Sequence, residues 1–458
     1  MIPKSILRII EGIVGQGNLK AHSEQIAEFG SDATKLQAMP DAVAFPRATE
    51  EISEILALAT KEGFPVIPRG AGSGMSGGAV PVEGGLVLAM SRFNRILSID
   101  EENMVTKVEP GVITADLQQA VEKYGLFYPP DPASMKISTI GGNLAECAGG
   151  LRAVKYGVTR DYVLGLTIVL PTGEVLNTGV ETMKGVAGYD LTRLIVGSEG
   201  TLAVITSSTL KLLPLPEATS TMIAFFKDIP SATAKVTEIL RSRVLPSVME
   251  LVDNLCLSCI RDEIDLEIPQ GAGAMLLLEV DGEEVSVERD AEKIRRVCKG
   301  PACIGFVRAS GSDEAEGLWE ARRGISPSLT KLRPHKISED IVVPRNKMPQ
   351  LAQYLNDLSK AFNLPIPVFG HAGDGNLHVN IMLDKDNPSE LEKAHLIVTR
   401  LFQKVLELGG TITGEHGIGI TKKPYLGMEI PTAGLELMSR IKKAFDPAGI
   451  LNPGKILP

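Results

Sequence analysis

The chain has 458 residues, 44% of them hydrophobic, which is too long for one core and implies two or three domains. Its net charge of -9 argues against nucleic acid, which needs a basic face, and no apolar run reaches the roughly 18 residues of a membrane span. Five cysteines, an odd count without a secretion signal, do not suit a disulfide framework and point to the cytoplasm, with partners as the route to any membrane surface.

Ile6, Ile9, Ile10 and Ile13 have helical spacing and no small-residue cleavage site follows, which predicts an amphipathic first helix rather than a signal peptide. Residues 43–45 have strand character. Thr49 is expected to cap a helix that carries Glu50 and Glu51 in its first turn and buries Ile52, Ile55, Leu56 and Ala59. Strand-like runs follow at 65–68, 86–90 and 105–108, then a helix over 114–124. A strand at 164–170 turns through Pro171-Thr172-Gly173 into a partner at 174–178. After Pro214 and Pro216, strands such as 274–280 alternate with charged amphipathic helices such as 285–297, and a last helix is expected over 435–445. The fold class is therefore α+β. Cys256 and Cys259 form a C-x-x-C, but Leu255, Leu257 and Ile260 place them in an apolar helical stretch. Cys298 and Cys303 have irregular spacing, so buried structural thiols fit better than a metal or cluster site.

Residues 68–78 read Pro-Arg-Gly-Ala-Gly-Ser-Gly-Met-Ser-Gly-Gly, and Gly72, Gly74 and Gly77 formally satisfy the dinucleotide fingerprint G-x-G-x-x-G. That fingerprint must open a helix. Here Pro81 and a Gly84-Gly85 pair forbid one, so the segment reads as strand–loop–strand, with exposed backbone N–H groups able to cradle an anion. Similar small-residue runs occupy 141–150 and 197–202. Three such runs suggest backbone closely surrounding a large, flat polyanion, and FAD fits that better than a mononucleotide.

Residues 370–380 and 414–417, Gly-His-Ala-Gly-Asp-Gly-Asn-Leu-His-Val-Asn and Gly-Glu-His-Gly, hold three of the six histidines. After the glycine turn, 377–382 alternates as a strand does, so His378 and Asn380 share one face and His371 can face His378 across the turn. With Glu415 they make a two-imidazole, one-carboxylate set suited to a divalent ion, zinc or manganese, with positions left open for substrate. Asp374 is a competing carboxylate whose turn position better fits a local role. His416, beside the ligand, is then a spare imidazole available as general base.

Taken together, 68–78, 129–161, 197–206, 370–380, 414–417 and 445–455 make the chain resemble, over nearly its whole length, the FAD-linked 2-hydroxy-acid dehydrogenases of the vanillyl-alcohol-oxidase type. The group holds D-lactate dehydrogenase, the glycolate oxidase catalytic subunit and D-2-hydroxyglutarate dehydrogenase. The resemblance implies a two-lobed FAD-binding domain over 1–215, an α+β substrate or cap domain over 216–410, and a C-terminal segment over 411–458 that returns to the flavin. It also implies that the 69–78 loop (Arg69, Gly70, Ala71, Gly72, Ser73, Gly74, Ser76, Gly77 and Gly78) holds the pyrophosphate. Asp131, Gly142, Asn143, Gly149, Gly157, Glu199, Gly200 and Ile205 would surround the rest of the FAD, which Asn452 would reach from the chain's end. Cys147 departs from the family, where asparagine or serine is frequent. No histidine lies between His22 and His335, which excludes a histidyl-flavin in the cradle and implies non-covalent FAD.

By the same resemblance Arg322, Ser326, Lys336 and Asn380 would bind the substrate, Arg322 gripping its carboxylate. The implied reaction oxidises a D-2-hydroxy acid, D-lactate first, with glycolate or D-2-hydroxyglutarate as alternatives, and passes electrons to a quinone or to a partner protein: a cytochrome, an electron-transfer flavoprotein or an iron–sulfur subunit. The histidine–carboxylate set argues against a phenol or sugar oxidase and a non-catalytic flavin subunit, and the three glycine-rich runs against a hydrolytic zinc enzyme.

Overall fold

The computed structural model describes residues 1–261 and 266–458 and divides into two compact units. The first comprises 1–149, 158–215 and 415–458; the second comprises 150–157 and 216–414.

The first unit contains two main sheets. In the four-stranded sheet the order is Leu19–Lys20, Ala42–Ala44, Leu86–Ala89, Val66–Arg69, with the last three parallel. Its strands are apolar on both faces, as sandwiched parallel strands must be. Val66, Leu86 and Leu88 face one core with the helix Thr49–Glu62, while Ile67, Val87 and Ala89 face another with Ile26. That helix buries Ile52, Ile55, Leu56 and Ala59, but Thr49 is its first helical residue and not its cap. Ala48 holds the cap position, and Glu51 reaches back to accept the Arg47 N–H at 2.8 Å. The first helix, Lys4–Val14, buries Ile6, Ile10 and Val14 and leaves Ile9 49% exposed. Spacing by four fixes a stripe that Ile9 and Ile13 only flank.

The second sheet is antiparallel, ordered Ile96–Asp100, Val105–Val108, Val204–Lys211, Val163–Val169, Val175–Gly179. The run at 141–150, which reads as a glycine loop, begins instead as the helix Ile140–Glu146 with Thr139 as cap. Its glycines serve close packing: a Cβ on Gly141 would lie 2.4 Å from Pro110 Cβ. The final helix, Thr432–Phe445, is followed by a return to the first sheet, where Leu451 bridges to Val66. Asp446 turns the chain there by accepting the Ile450 and Leu451 N–H groups.

The second unit is built on one antiparallel seven-stranded sheet, ordered Cys303–Arg308, Ala218–Phe226, Ala274–Gly282, Val248–Asp253, Val368–His371, Asn376–Leu383, His335–Val342. Ile223, Phe225, Met275 and Leu277 pack against the helices Asn254–Ile260 and Ser312–Ser328. Cys256 and Cys259 are buried in that core as thiols and not as a disulfide, as their apolar surroundings imply. Among the described residues no helix is long and apolar enough to cross a membrane.

Candidate active site

In the first unit, the loop that follows Val66–Arg69 forms one wall of a cavity, and the segments 138–149 and 198–205 form others. Of the sequence candidates, Arg69, Gly70, Ala71, Gly72, Ser73, Gly74, Gly78, Gly142, Asn143, Gly149, Glu199, Gly200 and Ile205 line it, and Glu415 and His416 line it too. The wall is mostly backbone and small side chains. A Cβ on Gly74 would meet nothing nearer than Glu146 Oε1 at 3.8 Å, so a side chain there would project into the cavity. Backbone exposed in this way suits a flat, polyphosphorylated ligand.

Several candidates stand behind this wall. Arg69 contributes backbone, but its guanidinium turns away: it donates to the carbonyl of Ser31 at 2.7 Å and lies over the Phe29 ring. Burial lowers its pKa, and a Cβ on Gly72 would collide with it. Arg69 therefore pins the loop and does not present its charge to a phosphate. Ser76 donates to Glu146 Oε1 at 3.2 Å, and Gly77 packs on Ile420. Asn452 is buried and donates to the carbonyls of Gly78 and Glu199 at 3.0 and 2.8 Å, tying two loops together from the chain's end. Asp131 is buried outside the lining, and Gly157 belongs to the second unit.

Glu146 lies in the cavity wall although no motif had singled it out; its place inside the 141–150 run was the available signal. Burial and the neighbouring Glu199 raise its pKa well above the usual carboxylate range. Burial also raises Glu199, to about 7, against the pull of the Ile418 and Gly419 N–H groups that donate to it at 2.8 and 2.7 Å.

In the second unit the hairpin 368–383 brings His371 and His378 together, their ring centroids 5.2 Å apart and nearly perpendicular. A buried carboxylate lies on the Nδ1 side of each: Glu250 Oε1 is hydrogen-bonded to that of His371 at 2.5 Å, whereas Asp340 Oδ1 stands 3.9 Å from that of His378, beyond hydrogen-bond distance. Burial pushes Glu250 up, but His371 and Arg322 outweigh it and hold the carboxyl at about 2. An ionised Glu250 accepts the Nδ1–H, which leaves the Nε2 lone pair of His371 for a ligand. Asp340 also accepts the Gly414 N–H at 2.8 Å, so the residue before Glu415 is fixed beside the His378 strand. This donor set fits a borderline divalent ion.

Arg322 is already engaged. Its Nε and Nη2 reach Glu250 Oε2 at 2.7 and 2.6 Å, and its guanidinium lies over Phe369. Lys336 donates to Ser326 Oγ at 2.7 Å, and burial lowers its pKa. Asn380 is wholly buried, accepting from Ser338 at 3.0 Å and donating to the Pro367 and His378 carbonyls, so its amide faces into the sheet. Asp374 sits in the hairpin turn, where its N–H donates to the His371 carbonyl. Glu250 was missed from the sequence; a lone glutamate in the otherwise apolar run Val248-Met249-Glu250-Leu251-Val252 was its signal.

Known proteins share this chain's sequence and fold. Residues 40–179 match the family described as the FAD binding domain, and residues 215–456 match the one described as the C-terminal domain of FAD linked oxidases. The chain is 46% identical over 457 residues to the glycolate oxidase subunit GlcD of Bacillus subtilis, covering 100% of this chain and 97% of that one. It is 35% identical to GlcD of Escherichia coli K12 (95% and 87% covered) and 36% identical to a D-lactate dehydrogenase of Anaerostipes hadrus (92% and 90% covered). Among solved structures, p-cresol methylhydroxylase superposes with a TM-score of 0.81 at 17% identity, over 99% of this chain and 96% of that one. The chain has the fold of the vanillyl-alcohol-oxidase-type flavoproteins and belongs to the FAD-linked oxidases.

Proposed function

We propose that this protein oxidises a small 2-hydroxy acid, glycolate or D-lactate, to the 2-oxo acid, using non-covalent FAD and a divalent ion held by His371, His378 and Glu415. The observation that carries the reading is the pair of buried imidazoles with ring centroids 5.2 Å apart, His371 held at Nδ1 by the Glu250 carboxylate. Relatives that are glycolate oxidase subunits and a D-lactate dehydrogenase support the substrate class, and the glycolate reading has as much support as the D-lactate one.

FAD, when bound, supplies a two-electron acceptor, and a divalent ion supplies charge that acidifies a coordinated hydroxyl. The protein's own residues do the rest. Glu250 fixes the orientation of His371, and Asp340 fixes Gly414 and with it the backbone entering Glu415. Arg322 and Lys336 supply positive charge for the substrate carboxylate. His416 takes the hydroxyl proton at Nε2, the nitrogen 3.9 Å from Glu415 Oε1. Loss of that proton lets the Cα–H bond break with its electron pair leaving as hydride, and the carbonyl of the 2-oxo acid forms. A separate acceptor, a quinone or a partner protein, then takes the electrons. The protein would work in the cytoplasm, reaching a membrane only through such a partner.

The test is an anaerobic titration of the yellow holoprotein with glycolate, D-lactate, L-lactate and D-2-hydroxyglutarate. Bleaching of the flavin band by glycolate or D-lactate is expected. Bleaching by none of the four contradicts the proposal.

A further inference from the structure

The wall of the FAD cavity holds two carboxyl groups that the proposed reaction does not use. Glu146, at the end of the helix Ile140–Glu146, and Glu199, at φ 52° in the loop after the helix Leu191–Ile195, approach one point from two sides. A Cβ on Gly417 would lie 2.3 Å from Glu146 Oε2 and 3.0 Å from Glu199 Oε1, so only glycine fits between them. Their hydrogen bonding is unequal. Both Glu199 oxygens accept backbone N–H groups, whereas Glu146 receives only the Ser76 hydroxyl at Oε1, and its Oε2 is sealed with no partner among the described residues.

The charges around the pair decide its state. Glu146 is faced by Glu199 and by Asp32 from the 27–35 segment, both negative. Glu199 is faced by Lys422 and Lys455 from the closing segment. Lys455 gives its hydrogen bond to the Val80 carbonyl at 2.6 Å, and burial lowers it to about 8. A sealed carboxylate oxygen with no donor is costly, and a second negative charge beside it more so. A neutral carboxyl removes both costs, and Glu199 is the member whose N–H donors tolerate ionisation.

We infer that Glu146 carries the proton of this carboxyl pair and presents an uncharged group to the cavity, so that retention of FAD is linked to that proton. The inference rests on the reading of the cavity as the FAD site. The sign follows from charge. FAD brings an anionic pyrophosphate, which an ionised Glu146 in the same wall repels and a protonated one does not. Binding is therefore tightest where the pair holds its proton and weakens as pH rises through its titration, by at most about tenfold per pH unit for one linked proton.

The experiment dilutes the holoprotein to low concentration from about pH 6 to about pH 9, a range in which one proton's linkage can be followed, and records the FAD fluorescence that appears on release. Wild type should release more FAD as pH rises, and Glu146→Gln, neutral at every pH, should show a clearly shallower rise, because only Glu199 and Lys455 still titrate in that range. Ser76→Ala, which removes the one hydrogen bond favouring the ionised form, should move the onset to higher pH. A flat wild-type profile, a Glu146→Gln profile that keeps the wild-type slope, or a Ser76→Ala onset that stays in place overturns the inference. Purified protein without flavin would instead defeat the FAD reading itself.

Discussion

Glu250 Oε1 sits 2.5 Å from His371 Nδ1 while Oε2 of the same carboxylate binds Arg322 at 2.6 Å. One buried side chain thus joins a proposed metal ligand to a proposed substrate anchor. Its strand, Val248–Asp253, pairs with both Ala274–Gly282 and Val368–His371, which fixes the geometry from either side.

Glu250→Gln should therefore weaken metal binding by about 10- to 100-fold, the usual scale for losing a carboxylate behind a ligating histidine. Zinc titration against a competing chelator measures this, and FAD content should not change. Glu250→Ala should also destabilise the second unit by about 3 to 5 kcal/mol, because Arg322 is left buried without its partner.

His416→Ala should keep both FAD and metal and slow flavin reduction by about two to four powers of ten, the scale for losing a general base. Glu415→Ala should instead lose the metal. Anaerobic stopped-flow reduction, with metal content measured on the same samples, separates the two. Reduction at the wild-type rate in His416→Ala would remove the histidine from the chemistry.

Gly70→Ala should impair FAD retention. The new Cβ would lie 2.3 Å from Thr139 Oγ1, the atom that caps the helix Ile140–Glu146 in the cavity wall. Displacing that cap costs about 1 kcal/mol in the helix before any effect on the ligand. Flavin-to-protein ratio after gel filtration reads the outcome, and a ratio equal to wild type would contradict it.

Stability should show a component that falls as pH rises. Asp253 is buried, caps the helix Asn254–Ile260 and accepts the Val368 N–H at 2.8 Å; burial raises its carboxyl to about 6. A raised pKa means the folded protein holds this proton more tightly than the unfolded chain. The contribution is fully present below the unfolded value and is lost as pH rises through about 6. It amounts to about 3 kcal/mol at most. Urea unfolding of wild type and Asp253→Asn from about pH 4 to about pH 7 checks it; the difference between the two should change across that window.

Much of the fold could be read from periodicity, because Ile52, Ile55, Leu56 and Ala59 bury as their spacing dictates and the glycine loop after Arg69 forms no helix. The histidine hairpin was legible for the same reason: His378 pairs with Phe369, two residues before His371, and the two imidazole rings meet at 5.2 Å. Other features depend on contacts between distant residues. Arg69 looks like a phosphate ligand in sequence, and only the carbonyl of Ser31 and the ring of Phe29, far upstream, show where its charge goes. Glu146 and Glu250 carry no motif of their own; each takes its meaning from a residue more than 50 positions away. Ile140–Glu146 was hidden by its glycines, which local propensity reads as a loop and Pro110 requires as packing.

The most direct test of the account removes the metal and watches the flavin. Holoprotein is stripped with a chelator that leaves FAD bound, then mixed anaerobically with glycolate or D-lactate before and after zinc or manganese is restored. Stripped protein should keep its yellow colour in the presence of substrate and bleach once the ion returns. Bleaching at full rate without any divalent ion would contradict it.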